Sequence, residues 1–585
     1  MQLLKDGKNE LGREIARYRA AFITVAVLSA CLNVLLLGGS IYMMMVYDSV
    51  LPSHSLPSLF GLLAMLIIVF IFQALFDSAR SRILMGVGAG LERALGGRVQ
   101  RAMGDASLRM GDPPGDGLVA VRDLDNVRNF LSSGGPTALI DLPWIVFFIA
   151  ILSLLHIWLG VAALVGSAIL VGLTLLNDRT TSQASKRVTE LATARSGAAE
   201  RNLRHVEVLS ALGMRERMRW RWEVKNQEFL STYDSVTRSA NRIGSISRVF
   251  RLFLQSFILT VGALLVIDGL ASGGVIFAAS VLFGRAVAPV DQAIANWRNF
   301  AAARAGWTRL NNLLSRFPET EDGRVILPLP QRDLAVQQLA LAPPGQKRLT
   351  VLHAHFNLRA GDVLGIIGPS GAGKTSLGRA LVGVWQPQRG SVRLDGSTFD
   401  QWDSDRLGSA IGYLPQGVEL IEGTIAENIS RFAETSDSLG VIEAARAAGV
   451  HDVIVQFPQG YDTMIGRDGS GLSAGQRQRI GLARALYGDP FLVVLDEPNS
   501  NLDQEGEHAL QGAIASVRER DGIVVLITHR PALLAETNKV MFMRNGKMEL
   551  FGDRDEVLQK VLARGPAPVP QVGGRETAAQ ARAEA

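Results

Sequence analysis

Apolar positions in this chain follow two different patterns. Up to about residue 293 they form long continuous blocks; from residue 333 they shorten to strand-length runs separated by glycine-rich and polar turns. A helix crossing a bilayer needs about 20 mostly apolar residues. Six blocks meet that length, at about 20–46, 56–76, 137–155, 159–177, 250–267 and 274–293. The segments between them alternate in length and charge. Segments 47–55, 156–158 and 268–273 are short and hold no Lys or Arg. Segment 77–136 holds eight Arg, and 178–248 holds fourteen Lys plus Arg. Basic residues collect on the cytoplasmic side, so the short segments are expected outside and both termini in the cytoplasm.

The two long basic segments carry a helical period of their own. Leu84, Val87, Leu91, Leu95, Val99 and Met103 recur every three or four residues, which is one face of a helix. Asp112–Gly117 breaks that helix, and Leu118–Ser133 returns towards the third block. Segment 178–248 repeats the scheme, with its low point at Leu209–Met214. Inside the sixth block, Arg285, Pro289 and Asp291 interrupt the apolar run. Charges within a membrane segment face a cavity or a partner. Two readings stay open: Arg285 and Asp291 line a polar translocation path, or they pair with each other or mark the helix's cytoplasmic end. Asp141, beside Pro143 and Trp144, is expected at the membrane interface where the third block starts.

Composition narrows the picture. With 585 residues the chain holds more than one domain, and a net charge of +5 does not call for nucleic acid. The single cysteine, Cys31, excludes a disulfide within the chain and a cysteine–zinc cluster. An N-terminal cysteine-peptidase domain is not expected either. Leu28-Ser29-Ala30-Cys31 resembles a lipoprotein cleavage box behind basic residues. The apolar run around it is too long for a signal core, so it is read as an uncleaved helix. The expected organisation is a cytoplasmic N-terminal segment (1–19), a six-helix membrane domain with long cytoplasmic extensions (20–310) and a linker (311–332). An α/β domain (333–564) and a Pro-, Gly- and Ala-rich disordered tail (565–585) follow.

The α/β region carries the chemistry. Val363–Ile367 reads as a buried strand leading into Gly368-Pro369-Ser370-Gly371-Ala372-Gly373-Lys374-Thr375, followed by Ser376 and a helix over 375–385. This strand, loop and helix form a P-loop, whose N–H groups and helix N-terminus take ATP's phosphates. Lys374 is expected to reach the β- and γ-phosphates and Thr375 to ligate Mg²⁺. Phe491–Leu495 runs into Asp496-Glu497. Asp496 is expected to hold Mg²⁺ and Glu497 to act as general base for the attacking water. Gln416, after Ile411–Pro415, is expected to contact Mg²⁺ or the water. His529, after Val524–Thr528, is expected to contact the γ-phosphate.

These motifs, with Leu472-Ser473-Ala474-Gly475-Gln476, resemble the ATPase domain of ABC transporters. The resemblance implies that Ser473, Gly475 and Gln476 close over ATP bound to a second chain, with Asp503 at the interface. One ATPase domain per chain then implies a homodimer with two equivalent sites. The fold class is multi-domain: an α-helical membrane domain of ABC exporter type plus an α/β P-loop ATPase domain. Two departures stand out. Ala474 replaces a usual glycine, and Pro343 in Leu341–Gly345 occupies the place of the aromatic residue that stacks on adenine.

The membrane stretches resemble type I protein-secretion transporters of the protease- and lipase-secreting branch. They are Met44–Pro52, Asp141-Leu142-Pro143-Trp144, His156–Gly160 and Gly284–Gln292, joined by Asp496–Asp503 in the ATPase region. The resemblance implies export of an unfolded polypeptide with a C-terminal signal and a location in the bacterial inner membrane. The partners implied are a periplasmic adaptor and an outer-membrane channel. A lipid or drug exporter of the same architecture is the alternative. A regulatory ATPase without transport is opposed by the intact Glu497 and His529.

Overall fold

The computed structural model describes residues 10–111, 117–318, 327–435, 437–466, 469 and 471–563. It divides into two compact units near residue 320, with Leu108–Gly111 grouped with the second. The first is all helical: α1 Glu10–Arg17, α2 Arg19–Leu35, α3 Leu37–Met45, a π-helical turn Val46–Val50 and a single turn α4 Leu51–Ser53. There follow α5 Leu56–Met110, α6 Val119–Leu131, α7 Gly135–Asp141, α8 Trp144–Leu155, α9 Ile157–Arg204, α10 Val206–Ala211, α11 Arg215–Ile267 and α12 Gly273–Arg316.

The six apolar blocks are helical, the first divided between α2 and α3 and the third between α7 and α8. Among the described residues, Arg19–Ser53, Leu56–Met110, Arg215–Ile267 and Gly273–Arg316 are long and apolar enough to cross a membrane. The pair α7 and α8, bent by 41°, makes up to five. The remaining block falls at the start of α9, where the apolar stretch Ile157–Leu173 is shorter. The 55 residues of α5 extend about 80 Å, far beyond a hydrocarbon core of about 30 Å. Its C-terminal half therefore has to pack on protein. The stripe read from the sequence does this: Leu84, Val87, Leu91, Leu95 and Val99 are buried. Leu91, Leu95 and Val99 share a core with Leu124 and Val127 of α6 and Leu310 of α12.

Three expectations gain detail here. Asp141, expected at the membrane interface, is buried in the protein. Its carboxylate accepts from Arg80 Nη1 at 2.9 Å and from Asn33 Nδ2 at 3.1 Å. Asp291 pairs with Arg251 of α11 at 3.0 Å rather than with Arg285, which is exposed. The expected linker 311–332 begins as helix, since α12 runs to Arg316. Residues 319–326 of that linker, residues 112–116 of the expected helix break and the tail 565–585 lie outside the described residues.

The Asp141 pair yields a test. Breaking a buried ion pair from one side costs about 3–5 kcal/mol, because a charge stays behind unpaired. Arg80→Leu is expected to lower the melting temperature of the purified chain. Arg80→Leu with Asp141→Leu is expected to recover part of that loss. Equal melting of both variants would show that the pair carries no such charge penalty.

The second unit is an α/β sandwich. Its strands are β1 Asp333–Leu341, β2 Val351–Arg359, β3 Val363–Ile367, β4 Arg389–Leu394, β5 Ser397–Thr398, β6 Ile411–Leu414, β7 Gly423–Thr424, β8 Met464–Ile465, β9 Leu492–Asp496, β10 Ile523–Ile527, β11 Lys539–Arg544 and β12 Lys547–Asp553. Its helices are α13 Lys374–Leu381, α14 Ser404–Ser409, α15 Ile425–Ile429, α16 Ser438–Ala447, α17 His451–Val455, α18 Ala474–Leu486, α19 Gln504–Glu519, α20 Pro531–Leu534 and α21 Arg554–Ala563. Among the described residues, one sheet runs in the order β5-β4-β1-β2-β12-β11-β3-β10-β9-β6. Strands β11, β3, β10, β9 and β6 are mutually parallel. β9 and β10 are buried throughout, as parallel strands covered on both faces must be. Alternate residues serve opposite cores: Val493, Leu495, Val524 and Leu526 join one, and Leu492, Val494, Val525 and Ile527 the other. A parallel sheet built this way brings the C-terminal ends of β3, β6, β9 and β10 to one edge, the usual ligand crevice of open α/β sheets.

Candidate active site

The P-loop, Gln416, Asp496-Glu497 and His529 each sit at or just past one of those strand ends. The loop after β3 is shaped by glycines that nothing larger can replace. Gly368 has φ +149°, and a Cβ there would lie 2.1 Å from the Met543 carbonyl oxygen. Gly373, at φ +97°, precedes α13, and a Cβ would lie 2.4 Å from the Thr350 oxygen. Pro369, Ser370 and Gly371 are exposed, while Ala372 is buried beneath them. The N-terminus of α13, with Thr375 and Ser376 in its first turn, therefore opens onto the loop. α13 ends at Leu381, short of the 375–385 read from the sequence.

Lys374 is buried and folds back on this loop. Its Nζ donates to the carbonyl oxygens of Gly368 at 2.9 Å and Pro369 at 3.1 Å. Burial lowers its pKa, and the charges of Glu497 and Asp496 oppose that. The ammonium thus stands where phosphate oxygens could take over its hydrogen bonds.

Asp496 closes β9 and is 1% exposed. Among the described residues neither carboxylate oxygen has a partner of hydrogen-bond geometry. Burial raises its pKa; the neighbouring Thr375 hydroxyl is the largest opposing influence, with Arg379 and Lys374 behind it. A buried carboxylate left without donors beside a threonine hydroxyl suits a hard cation whose bound waters supply the missing hydrogen bonds. Asp496 and Thr375 therefore fit Mg²⁺, with Gln416 within the same set of strand ends. Among the described residues no group of three or more His, Cys, Asp and Glu forms a cage. Mg²⁺ typically completes such a shell with water and substrate phosphate.

Glu497 follows with φ +49°, a left-handed conformation costing about 1–2 kcal/mol for a residue with a side chain. Its N–H still donates to the Ile527 carbonyl at 2.9 Å. The turn swings the carboxylate between two partners. Gln416 Nε2 donates to Oε2 at 2.8 Å, and His529 Nε2 lies 3.6 Å from Oε1. Strained backbone of this kind concentrates at functional sites. Residues from β6, β9 and β10 thus meet around one partly exposed carboxylate.

Ser473, Gly475, Gln476 and Asp503 stand apart from this group. Ser473 caps α18 and exchanges hydrogen bonds with Gln476, at 2.8 and 3.2 Å. A Cβ on Gly475 would lie 2.9 Å from the Asn501 oxygen. Asp503 caps α19 by accepting from Gly506 N at 2.9 Å and also pairs with Arg479 of α18. The Gly506 N–H, then Arg479, hold its carboxyl below the usual range. Among the described residues no hydrogen bond joins these four to the P-loop. Ala474 is exposed, so its methyl meets no obstacle within the chain.

Arg379 was not read from the sequence as a site residue. It lies one turn beyond Thr375 on α13, acts on Asp496 and on the Tyr413 hydroxyl, and stacks over Trp385 at 5.1 Å. The i, i+4 spacing from Thr375 was the available signal. Pro343 opens a turn closed by Gln346 N donating to its oxygen at 3.0 Å. No aromatic residue occurs on this turn.

Comparison with known proteins agrees with this geometry. The ABC transporter family matches residues 351–500, and the ABC transporter transmembrane region matches residues 22–290. The type I secretion system ATP-binding protein PrsD of Rhizobium meliloti (strain 1021) is 51% identical over 93% of this chain and 93% of its own. The leukotoxin translocation ATP-binding protein LktB of Mannheimia glucosida is 28% identical over 93% of this chain and 77% of its own. A bacterial Atm1-family ABC exporter with ATP bound superposes with a TM-score of 0.80 at 19% identity, covering 95% of this chain and 100% of that one. That likeness speaks to fold alone. The helical unit, the P-loop sheet and the relatives together place the chain: it belongs to the ABC transporters of type I secretion systems.

Proposed function

We propose that the chain is the ATP-driven exporter of a type I secretion system, carrying an unfolded polypeptide with a C-terminal signal across the inner membrane. The observation that carries its chemistry is the meeting of Gln416, Glu497 and His529 beside Lys374 and Asp496. Lys374 turns the N–H groups that it gives to Gly368 and Pro369 towards the phosphates. Glu497 takes a proton from the water that attacks the γ-phosphorus as the bond to ADP breaks. Gln416 and His529 orient the carboxylate from either side. Mg²⁺, when bound, neutralises charge on the phosphates, held by Thr375 and Asp496. Ser473, Gly475, Gln476 and Asp503, remote from the chain's own P-loop contacts, complete the site of a second copy.

The cargo reading is supported by the kinship with PrsD and LktB, whose names record type I secretion and leukotoxin translocation. Arg285, exposed on a membrane helix, is proposed to face the path, with Asp291 held by Arg251 beside it. The basic segments 77–136 and 178–248 support cytoplasmic termini. A periplasmic adaptor and an outer-membrane channel are the proposed partners. ATPase activity of the purified chain in lipid, titrated with the C-terminal segment of a candidate secreted protein, tests this. A saturable change in rate, absent with a scrambled segment, is expected. A response only to lipids or amphipathic drugs would move the assignment to a small-molecule exporter.

A further inference from the structure

The stretch Met44–Pro52 has no part in the chemistry above. α3 does not end in an ordinary α-helical turn. Val46–Val50 winds as a π-helical turn, which rotates side chains out of the preceding register and is frequent at functional sites. The rotation aims Asp48 at the first turn of α12. Its carboxylate accepts from Gly274 N at 2.7 Å and from the Ser272 hydroxyl at 2.6 Å. Ser272 is the capping residue of α12, yet its side chain caps nothing in its own helix. The cap arrives instead from 224 residues earlier in the chain. A carboxylate suits that place, since a helix start offers free N–H groups and positive dipole. Gly274 is required there, because a Cβ would lie 2.6 Å from Asp48 Oδ2. Beside it, Tyr47 stacks on Phe277 with ring centroids 4.2 Å apart and 14° between planes.

The first apolar block is thereby fastened to the last. The joint lies at the opposite end of α12 from Arg316, and the 44 residues between span about 65 Å. Its parts are unlike those of the Arg80–Asp141 tie, which is buried. Asp48, Tyr47 and Ser272 are exposed, so their contacts can be exchanged for water at little cost.

We propose that Asp48, Ser272, Gly274, Tyr47 and Phe277 form an outer latch, closed at rest and released when ATP closes the ATPase dimer, so that cargo can leave between the helix ends. This rests on the export reading. A polypeptide leaving between these ends requires them to part, and the fastening is one of the contacts that parting must break, along with the packing of Leu36, Leu37 and Met44 on the core of Val275, Ala279 and Leu282.

Two measurements on the full chain in lipid vesicles test it. Both start from Cys31→Ser, which removes the one native thiol. In the first, Asp48→Cys with Ser272→Cys replaces two side chains that already touch. Oxidation is expected to abolish export while basal ATP hydrolysis persists, and reduction to restore export. In the second, spin labels at Ser53→Cys and Leu270→Cys, with labelled chains diluted in unlabelled ones, report the distance between the two ends. That distance is expected to lengthen by several ångström in a Glu497→Gln background with ATP. Export by the oxidised chain, or an unchanged distance with ATP, overturns the latch. If the reduced chain moves no polypeptide at all, the export reading fails, and the distance, which needs no cargo, still decides the latch.

Discussion

Replacing Glu497 by Gln is expected to leave ATP binding intact and to lower turnover by about 10²–10⁴-fold, the contribution of a positioned general base. The substitution keeps shape and keeps an oxygen that can accept from Gln416, now 2.8 Å away. It removes the lone pair that takes water's proton. The backbone at this position is already committed to φ +49°, so the amide is placed where the carboxylate was. ATP should then be held without being consumed, and the closed dimer should accumulate. Steady-state phosphate release with nucleotide binding on the same preparation checks both halves. Hydrolysis near the wild-type rate would move the role of base away from Glu497.

Asp496→Asn should separate activity from stability. The carboxylate is 1% exposed, has among the described residues no partner of full hydrogen-bond geometry, only the nearby Thr375 hydroxyl, and has its pKa raised by burial. A folded-state pKa above the unfolded one means that the folded chain binds the proton more tightly. Its stabilising effect is therefore complete below the unfolded carboxylate pKa and is lost as pH rises through the folded one. At neutral pH the nucleotide-free wild type carries that penalty, and the amide does not. The variant is expected to melt higher without nucleotide, by about 2–4 °C for each kcal/mol recovered, and the gap should shrink on acidification. Turnover should collapse, because a neutral amide holds a divalent cation poorly. Thermal melts across pH, paired with ATPase assays, give the answer. A lower melting temperature at neutral pH would mean that the carboxylate is satisfied without a cation.

Much of this was legible in the sequence because the signals are local. A glycine that must take φ +149° announces itself as glycine, and a strand buried on both faces reads as an unbroken apolar run. The helix stripe from Leu84 to Val99 was legible for the same reason, since period and burial coincide. What stayed hidden depends on distant partners. Asp141 looked interfacial because Pro143 and Trp144 flank it; only the fold brings Arg80 and Asn33 to it. Arg285 and Asp291 lie six positions apart, which puts them on different faces of a helix, and Arg251 on another helix took the pairing. The grouping of Ser473, Gly475 and Gln476 away from the P-loop was implied by resemblance; nothing in the spacing of the residues gave it.

The continuity of α12 has a consequence for how this chain can change by insertion. One helix carries Gly274 under the Asp48 cap, Asp291 opposite Arg251 and Leu310 in the core with Leu91 and Leu124. Adding a single residue to a helix turns everything beyond it by about 100° and slides it about 1.5 Å. An insertion between Gly274 and Asp291 would keep the first contact and misdirect the other two; one after Asp291 would misdirect only the last. The number of residues from Gly274 to Leu310 is thus a fixed count, and related chains that preserve these contacts should show length differences outside that stretch but none within it.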